Sequence, residues 1–97
     1  MKLSEVIVNL ASHPEETFIC VRRPWIPKAD AVLVPFTPGF RIPETVKVQG
    51  FEYFLEVSIA NEIIEDYLKQ SPSTEKVVAF VIHYAEHDAF PEWASSP

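Results

Sequence analysis

Basic residues, glycine and cysteine are all scarce in this 97-residue chain. Eight Lys and Arg residues stand against 14 Asp and Glu, which gives a net charge of −6 at pH 7. Duplex DNA and anionic membranes both require a basic surface, so we expect neither nucleic acid nor a membrane as partner. Two glycines are too few for a phosphate-binding glycine loop. The single cysteine, Cys20, excludes an intramolecular disulfide and is typical of a reducing compartment.

Long apolar runs are also missing. No stretch reaches the ~20 apolar residues that a membrane-spanning helix needs. Near the N-terminus, Lys2 is followed almost at once by Ser4 and Glu5, whereas a signal peptide continues into an apolar run. We therefore expect a cytoplasmic protein. The length fits one domain, residues 1–97, and a domain this small often associates with a second copy to cover apolar surface.

Residue types and their spacing predict several β-strands. Thr17 to Arg22 and Asp30 to Phe36 are rich in β-branched and aromatic residues, which favours two strands paired as a long-looped hairpin. Prolines and glycines predict a loop over residues 37–50, with a brief extended piece at 46–48. From Phe51 to Val57, every second residue is apolar, and this period predicts another strand. The residues between them are Glu52, Phe54 and Glu56.

Helical spacing appears at both ends of the chain. Apolar residues over 3–10 predict a short helix with Ser4 as its N-cap, and those over 58–68 predict an amphipathic helix capped by Ser58. Residues 76–84 would fit a buried strand, but their polar residues cluster only on a helical wheel, so we predict a helix that starts after Ser73 or Thr74.

These elements predict an α+β fold. A small antiparallel sheet of three to four strands should carry two amphipathic C-terminal helices on one face, with a short N-terminal helix. Residues 89–97 should form an irregular, flexible tail that Trp93 could hold to the body.

The most specific motif match is His83-Tyr84-Ala85-Glu86-His87, which has the H-x-x-E-H form of inverted zinc-protease motifs. Two histidines one helical turn apart can share a zinc ion, and a glutamate can polarise a bound water. A catalytic site also needs a third ligand and a cleft, and the similarity covers only five residues. We therefore interpret His83, Glu86 and His87 as a solvated helix face, and predict no metal and no cofactor.

Two surfaces are candidate binding sites. The first holds Arg22, Arg23, Trp25 and Lys28 in a proline-stiffened segment, and Trp and Arg are the residues most enriched at binding hot spots. The alternative is that Trp25 packs on the core while the charges protect a sheet edge. The second is an acidic helix face, which would suit a basic partner or would simply be solvated. Its members are Glu62, Glu65 and Asp66.

Three segments carry a resemblance: the opening Met-Lys-Leu-Ser-Glu-Val, the Arg-Arg-Pro-Trp of residues 22–25, and Glu52 to Val57 leading into a helix. In these the whole chain resembles small bacterial proteins without assigned activity, some of them carried on mobile gene cassettes. The resemblance implies an accessory, interaction-type role and brings no site residues with it.

The leading hypothesis is thus a cytoplasmic interaction module, a homodimer or a binder of another protein, that acts by binding and has no catalytic residues. It could mask a basic partner as immunity proteins and antitoxins do. The alternative hypothesis is a small-molecule or anion-binding protein, or a minor enzyme, with its pocket beside the segment from Arg22 to Lys28.

Overall fold

The computed structural model describes residues 1–94, and these form a three-stranded antiparallel sheet with four α-helices. The sheet has the strand order β2-β1-β3, so β1 is central. This confirms the predicted α+β class and the predicted hairpin of the first two strands. The strands are β1 (Thr17–Arg22), β2 (Ala31–Pro35) and β3 (Phe51–Glu56), and the helices are α1 (Leu3–Val8), α2 (Glu44–Lys47), α3 (Val57–Leu68) and α4 (Thr74–His87).

Strand β1 is buried on both of its faces from Thr17 to Val21. Ile19 and Val21 point to the side covered by α1, α3 and α4, which we call the helical face of the sheet. This face holds the larger part of the core. Its fully buried members include Leu3, Val6, Val57, Ala60 and Val81. The prediction that both C-terminal helices cover one face of the sheet matches this arrangement.

The opposite side, which we call the loop face, is covered by the segment between β2 and β3. Phe18 and Cys20 form a second apolar cluster there, against which Phe36, Ile42 and Val46 pack. Part of this segment differs from the prediction, because Val46 lies in the short helix α2 rather than in an extended piece. Pro43 precedes this helix, and proline is well suited to a helix start because it has no N–H to satisfy.

A β-bulge in β3 changes which side chains enter the core. Ile19 pairs with Leu55 but Cys20 pairs with Tyr53, so Phe54 is an extra residue in the ladder. As a result Phe54 and Leu55, neighbours in sequence, both join the core of the helical face. Strict alternation predicts opposite faces for these two residues, and the bulge is the reason that it fails here.

Of the three serines predicted to be helix N-caps, one is confirmed and two are wrong. Ser73 caps α4 by accepting a hydrogen bond from the Lys76 N–H at 3.3 Å, as expected. Ser4 and Ser58 lie inside α1 and α3 instead. Strand β3 runs directly into α3, so the residue before that helix, Glu56, keeps an extended backbone and offers no side-chain cap. Within residues 1–94 no helix has the length and apolarity to cross a membrane.

Substitution of Phe54 tests whether the bulge positions a core residue. Phe54 is 2% exposed, and we expect Phe54→Ala to lower the free energy of unfolding by about 3–5 kcal/mol, because it leaves a cavity under the helices. Val48→Ala is the control: that side chain is 78% exposed, and we expect a change within about 0.5 kcal/mol. Denaturant unfolding measures both. Should Phe54→Ala not fold, Phe54→Leu would give a smaller loss, and a loss equal to that of the control would contradict the assignment.

Candidate functional site

Arg23, from the predicted binding segment, joins three distant elements. Its Nη1 donates a hydrogen bond to Glu86 Oε1 of α4 at 2.7 Å, and its Nε lies 3.4 Å from Glu52 Oε2 of β3. The hydrogen bond with Glu86 raises the pKa of Arg23. The guanidinium also lies over the Trp25 ring, 3.6 Å from its centroid. Within the molecule, Arg23 therefore connects the end of β1 to the sheet edge and to α4.

Trp25 is half-buried and packs edge-on against Phe54, with ring centroids 5.0 Å apart. Its Nε1 lies 3.4 Å from the Val21 carbonyl oxygen, to which it donates a long hydrogen bond. The indole thus packs on the core of the helical face, as expected if Trp25 has a structural role. A binding role for the segment stays a prediction.

The other two basic residues of this segment differ from each other. Arg22 donates from Nε to the Gln49 carbonyl oxygen at 2.8 Å and pairs with Asp30 at 3.2 Å, so it ties the segments that lead into β3 and β2 to the end of β1. It also lies over the Phe51 ring at 4.4 Å. Lys28 is exposed in the loop between β1 and β2. The segment thus contributes mainly to the connection between elements.

The histidines of the H-x-x-E-H string lie near the end of α4. The rings of His83 and His87 have centroids 4.5 Å apart, and His83 Nδ1 lies 3.1 Å from the Ala89 carbonyl oxygen. Glu86 is engaged with Arg23. Among residues 1–94, no three or more His, Cys, Asp and Glu side chains are grouped so that they could hold a metal ion.

The acidic residues, in contrast, line a groove. All three predicted members, Glu62, Glu65 and Asp66, border an open cleft of about 900 Å³ between α3, α4 and the chain that follows α4. We call it the acidic groove. The other lining residues are Ile63, Tyr67, Lys69, Gln70, Phe80, Tyr84, Phe90 and Ala94.

Aromatic rings build the opposite side of the acidic groove. Tyr67 of α3 stacks on Phe80 of α4 with centroids 4.4 Å apart. The Phe90 ring packs against the rings of Phe80 and Tyr84, with centroid distances of 5.7 and 5.3 Å. Phe90 is itself 59% exposed. Tyr67 and Phe80 are themselves buried, so the groove offers the exposed Phe90 ring and part of Tyr84 beside three carboxylates. The helical spacing of Phe80 and Tyr84 placed them on one face, but nothing local to the sequence indicated that Phe90 returns to meet them.

A backbone reversal brings Phe90 back. Asp88 adopts a left-handed conformation (φ 53°, ψ 37°) directly after α4, and the chain then turns back along that helix. Pro91 and Ala94 are buried, and the Gln70 side chain donates to the Ala94 carbonyl oxygen at 3.1 Å. Residues 89–94 thus form a wall of the groove. The remainder of the predicted flexible tail, residues 95–97, lies outside the described residues.

The carboxylates of this groove have few partners inside the molecule. Asp66 pairs with Lys69 at 3.2 Å, but both side chains are well exposed. In the described part of the chain, Glu62 and Glu65 take part in no ion pair. The groove can therefore attract a basic group from outside.

Comparisons of the chain with protein-family models, curated proteins and solved structures found no match.

The burial of Cys20 can be tested through the ionisation of its thiol. Cys20 is fully buried on the loop face of β1, and this burial raises the pKa of its thiol to about 11 from an ordinary 9.0. The native state thus keeps the neutral thiol where the unfolded chain ionises. We expect the free energy of unfolding to fall as pH rises through this interval, and to fall less steeply in Cys20→Ala. Denaturant titrations across the interval measure both slopes, and equal slopes would contradict the burial.

Proposed function

We propose that the protein is a cytoplasmic interaction module that binds a basic segment of a partner protein in the acidic groove. The observation that carries this proposal is the coincidence of three carboxylates with an exposed aromatic surface in a single groove. Masking of a basic partner, as immunity proteins and antitoxins do, is the concrete form of the role.

Charge is the first support for the proposal. Glu62, Glu65 and Asp66 follow one side of α3, and Lys69 is the one basic residue that lines the groove. The other basic residues that form ion pairs do so with acidic residues outside the groove, as Arg23 does with Glu52 and Glu86. The groove lining thus carries a local excess of negative charge, which would speed association with a basic partner and favour that partner over acidic ones.

Apolar contact is the second support. Charge pairs at an exposed surface contribute little affinity, so a stable complex needs an anchor that is removed from water. The rings of Phe90 and Tyr84, supported from below by the buried Phe80, provide a surface on which an apolar side chain of the partner can be buried. An amphipathic segment with Lys and Arg beside Leu or Phe satisfies both requirements.

The alternative function, a small-molecule site or minor enzyme beside the Arg22–Lys28 segment, gains no support from the acidic groove. That groove is lined by other residues, and Trp25 and Arg23 are engaged with Phe54, Glu52 and Glu86. Binding in the acidic groove is therefore the better supported of the two functions.

A synthetic basic amphipathic peptide tests the proposal. We expect binding, measured by calorimetry, that weakens as salt is added. The triple variant Glu62→Lys, Glu65→Lys and Asp66→Lys should weaken binding at least about 10-fold, because attraction becomes repulsion. Phe90→Ala should weaken it by a similar factor through loss of the aromatic anchor. A peptide of the same length with Glu in place of Lys and Arg should not bind.

A matched control separates local charge from net charge. Each reversal adds two charges, so three reversals bring the net charge from −6 to 0 wherever they are made. Glu15→Lys, Glu16→Lys and Glu44→Lys make the same change away from the groove. Equal loss of binding in both triple variants would contradict a site in the acidic groove, and so would full binding by the groove variant.

A further inference from the structure

Two histidines lie side by side near the C-terminal end of α4. His83 and His87 are four residues apart, so they are neighbours on one side of the helix, and their ring centroids are 4.5 Å apart. An imidazole nitrogen binds a transition-metal ion at about 2.0–2.1 Å, which puts the ion roughly 3 Å from the ring centre. Two rings can therefore share one ion when their centres lie within about 6 Å of each other, and this pair meets that condition.

A hydrogen bond orients the first of these rings. The Nδ1 atom of His83 lies 3.1 Å from the Ala89 carbonyl oxygen, and because a carbonyl oxygen can only accept, Nδ1 carries the hydrogen. In the neutral ring the lone pair is then on Nε2, which is the nitrogen that would bind an ion. Histidines that bind metals generally donate their other nitrogen to a carbonyl or a carboxylate, and this contact fixes the ring and raises its basicity.

The end of a helix also favours a cation. Helix α4 ends at His87, and the last carbonyl groups of a helix carry a partial negative charge. The next residue in the chain, Asp88, is exposed and adds a formal negative charge. Glu86, the acidic residue of the H-x-x-E-H string, pairs with Arg23 instead, so the site offers two protein ligands.

We propose that His83 and His87 together bind one divalent transition-metal ion, with water in its remaining coordination positions. A zinc site usually has three or four protein ligands, whereas nickel(II) and copper(II) accept nitrogen and water oxygen in planar or tetragonal arrangements and suit two histidines better. The sequence-based prediction of no metal depended on a third ligand, which catalysis requires and binding alone does not. Neither histidine lines the acidic groove, so this site does not rest on the proposed function.

Calorimetric titration of the untagged protein with Ni²⁺ tests the proposal. We expect one ion per chain and a dissociation constant at least about 10-fold lower than in His83→Ala or His87→Ala, because each variant keeps a single imidazole of the pair. Bound Ni²⁺ should also raise the unfolding midpoint of the wild type, and raise that of either variant much less. Mg²⁺ should produce neither effect, because it prefers oxygen ligands. The His87 side chain is exposed, so His87→Ala should keep the wild-type circular dichroism spectrum.

His13→Ala is the matched control, because His13 is the remaining histidine and lies before β1, far along the chain from α4. It should bind Ni²⁺ as tightly as the wild type does. Wild-type affinity in either His83→Ala or His87→Ala would overturn the proposal, since the two imidazoles would then not share an ion. So would equal loss of affinity in the control, or weak binding of several ions, which would indicate adventitious contacts only. The titration contains no peptide, so its failure would leave the proposed function untouched.

Discussion

The burial of β1 on both faces is the constraint on which the rest of this structure depends. A three-stranded sheet has little area, and its central strand is closed to water from Thr17 to Val21, so each face must be covered. Three helices cover one face, whereas a segment with a single short helix covers the other. Because α3 and α4 pack toward the sheet with their inner sides, their outer sides are left to border two grooves.

Internal ion pairs determine where the surface charge remains. Arg22 and Lys2 both contact Asp30, and Arg23 contacts Glu52 and Glu86, so these cations are engaged around the sheet and the adjoining end of α4. Their acidic partners are neutralised there. The carboxylates of α3 lack this compensation, apart from the exposed pair of Asp66 with Lys69. The acidic groove thus keeps a local excess of negative charge, with three carboxylates and one lysine in its lining.

The sequence predicted the elements whose signal is local. Thr17–Arg22 is predicted from its β-branched and aromatic residues, and α4 from its helical spacing and the serine that caps it. The bulge at Phe54 is marked in the sequence only by the apolar run Tyr53-Phe54-Leu55, and this run does not show that the register with β1 shifts there. The carboxylates of the candidate site were predicted as one helix face, but its aromatic wall depends on the reversal at Asp88 and on contacts between Phe90 and α4. Such long-range contacts have no sequence period.

Helix α3 borders two grooves, the acidic groove and a smaller groove between α1, α3 and the start of α4. At about 100° per residue, Glu62 and Asp66 face one side of this helix and Leu68 faces another, with Glu65 between them at the border of both grooves. The two grooves therefore share one carboxylate.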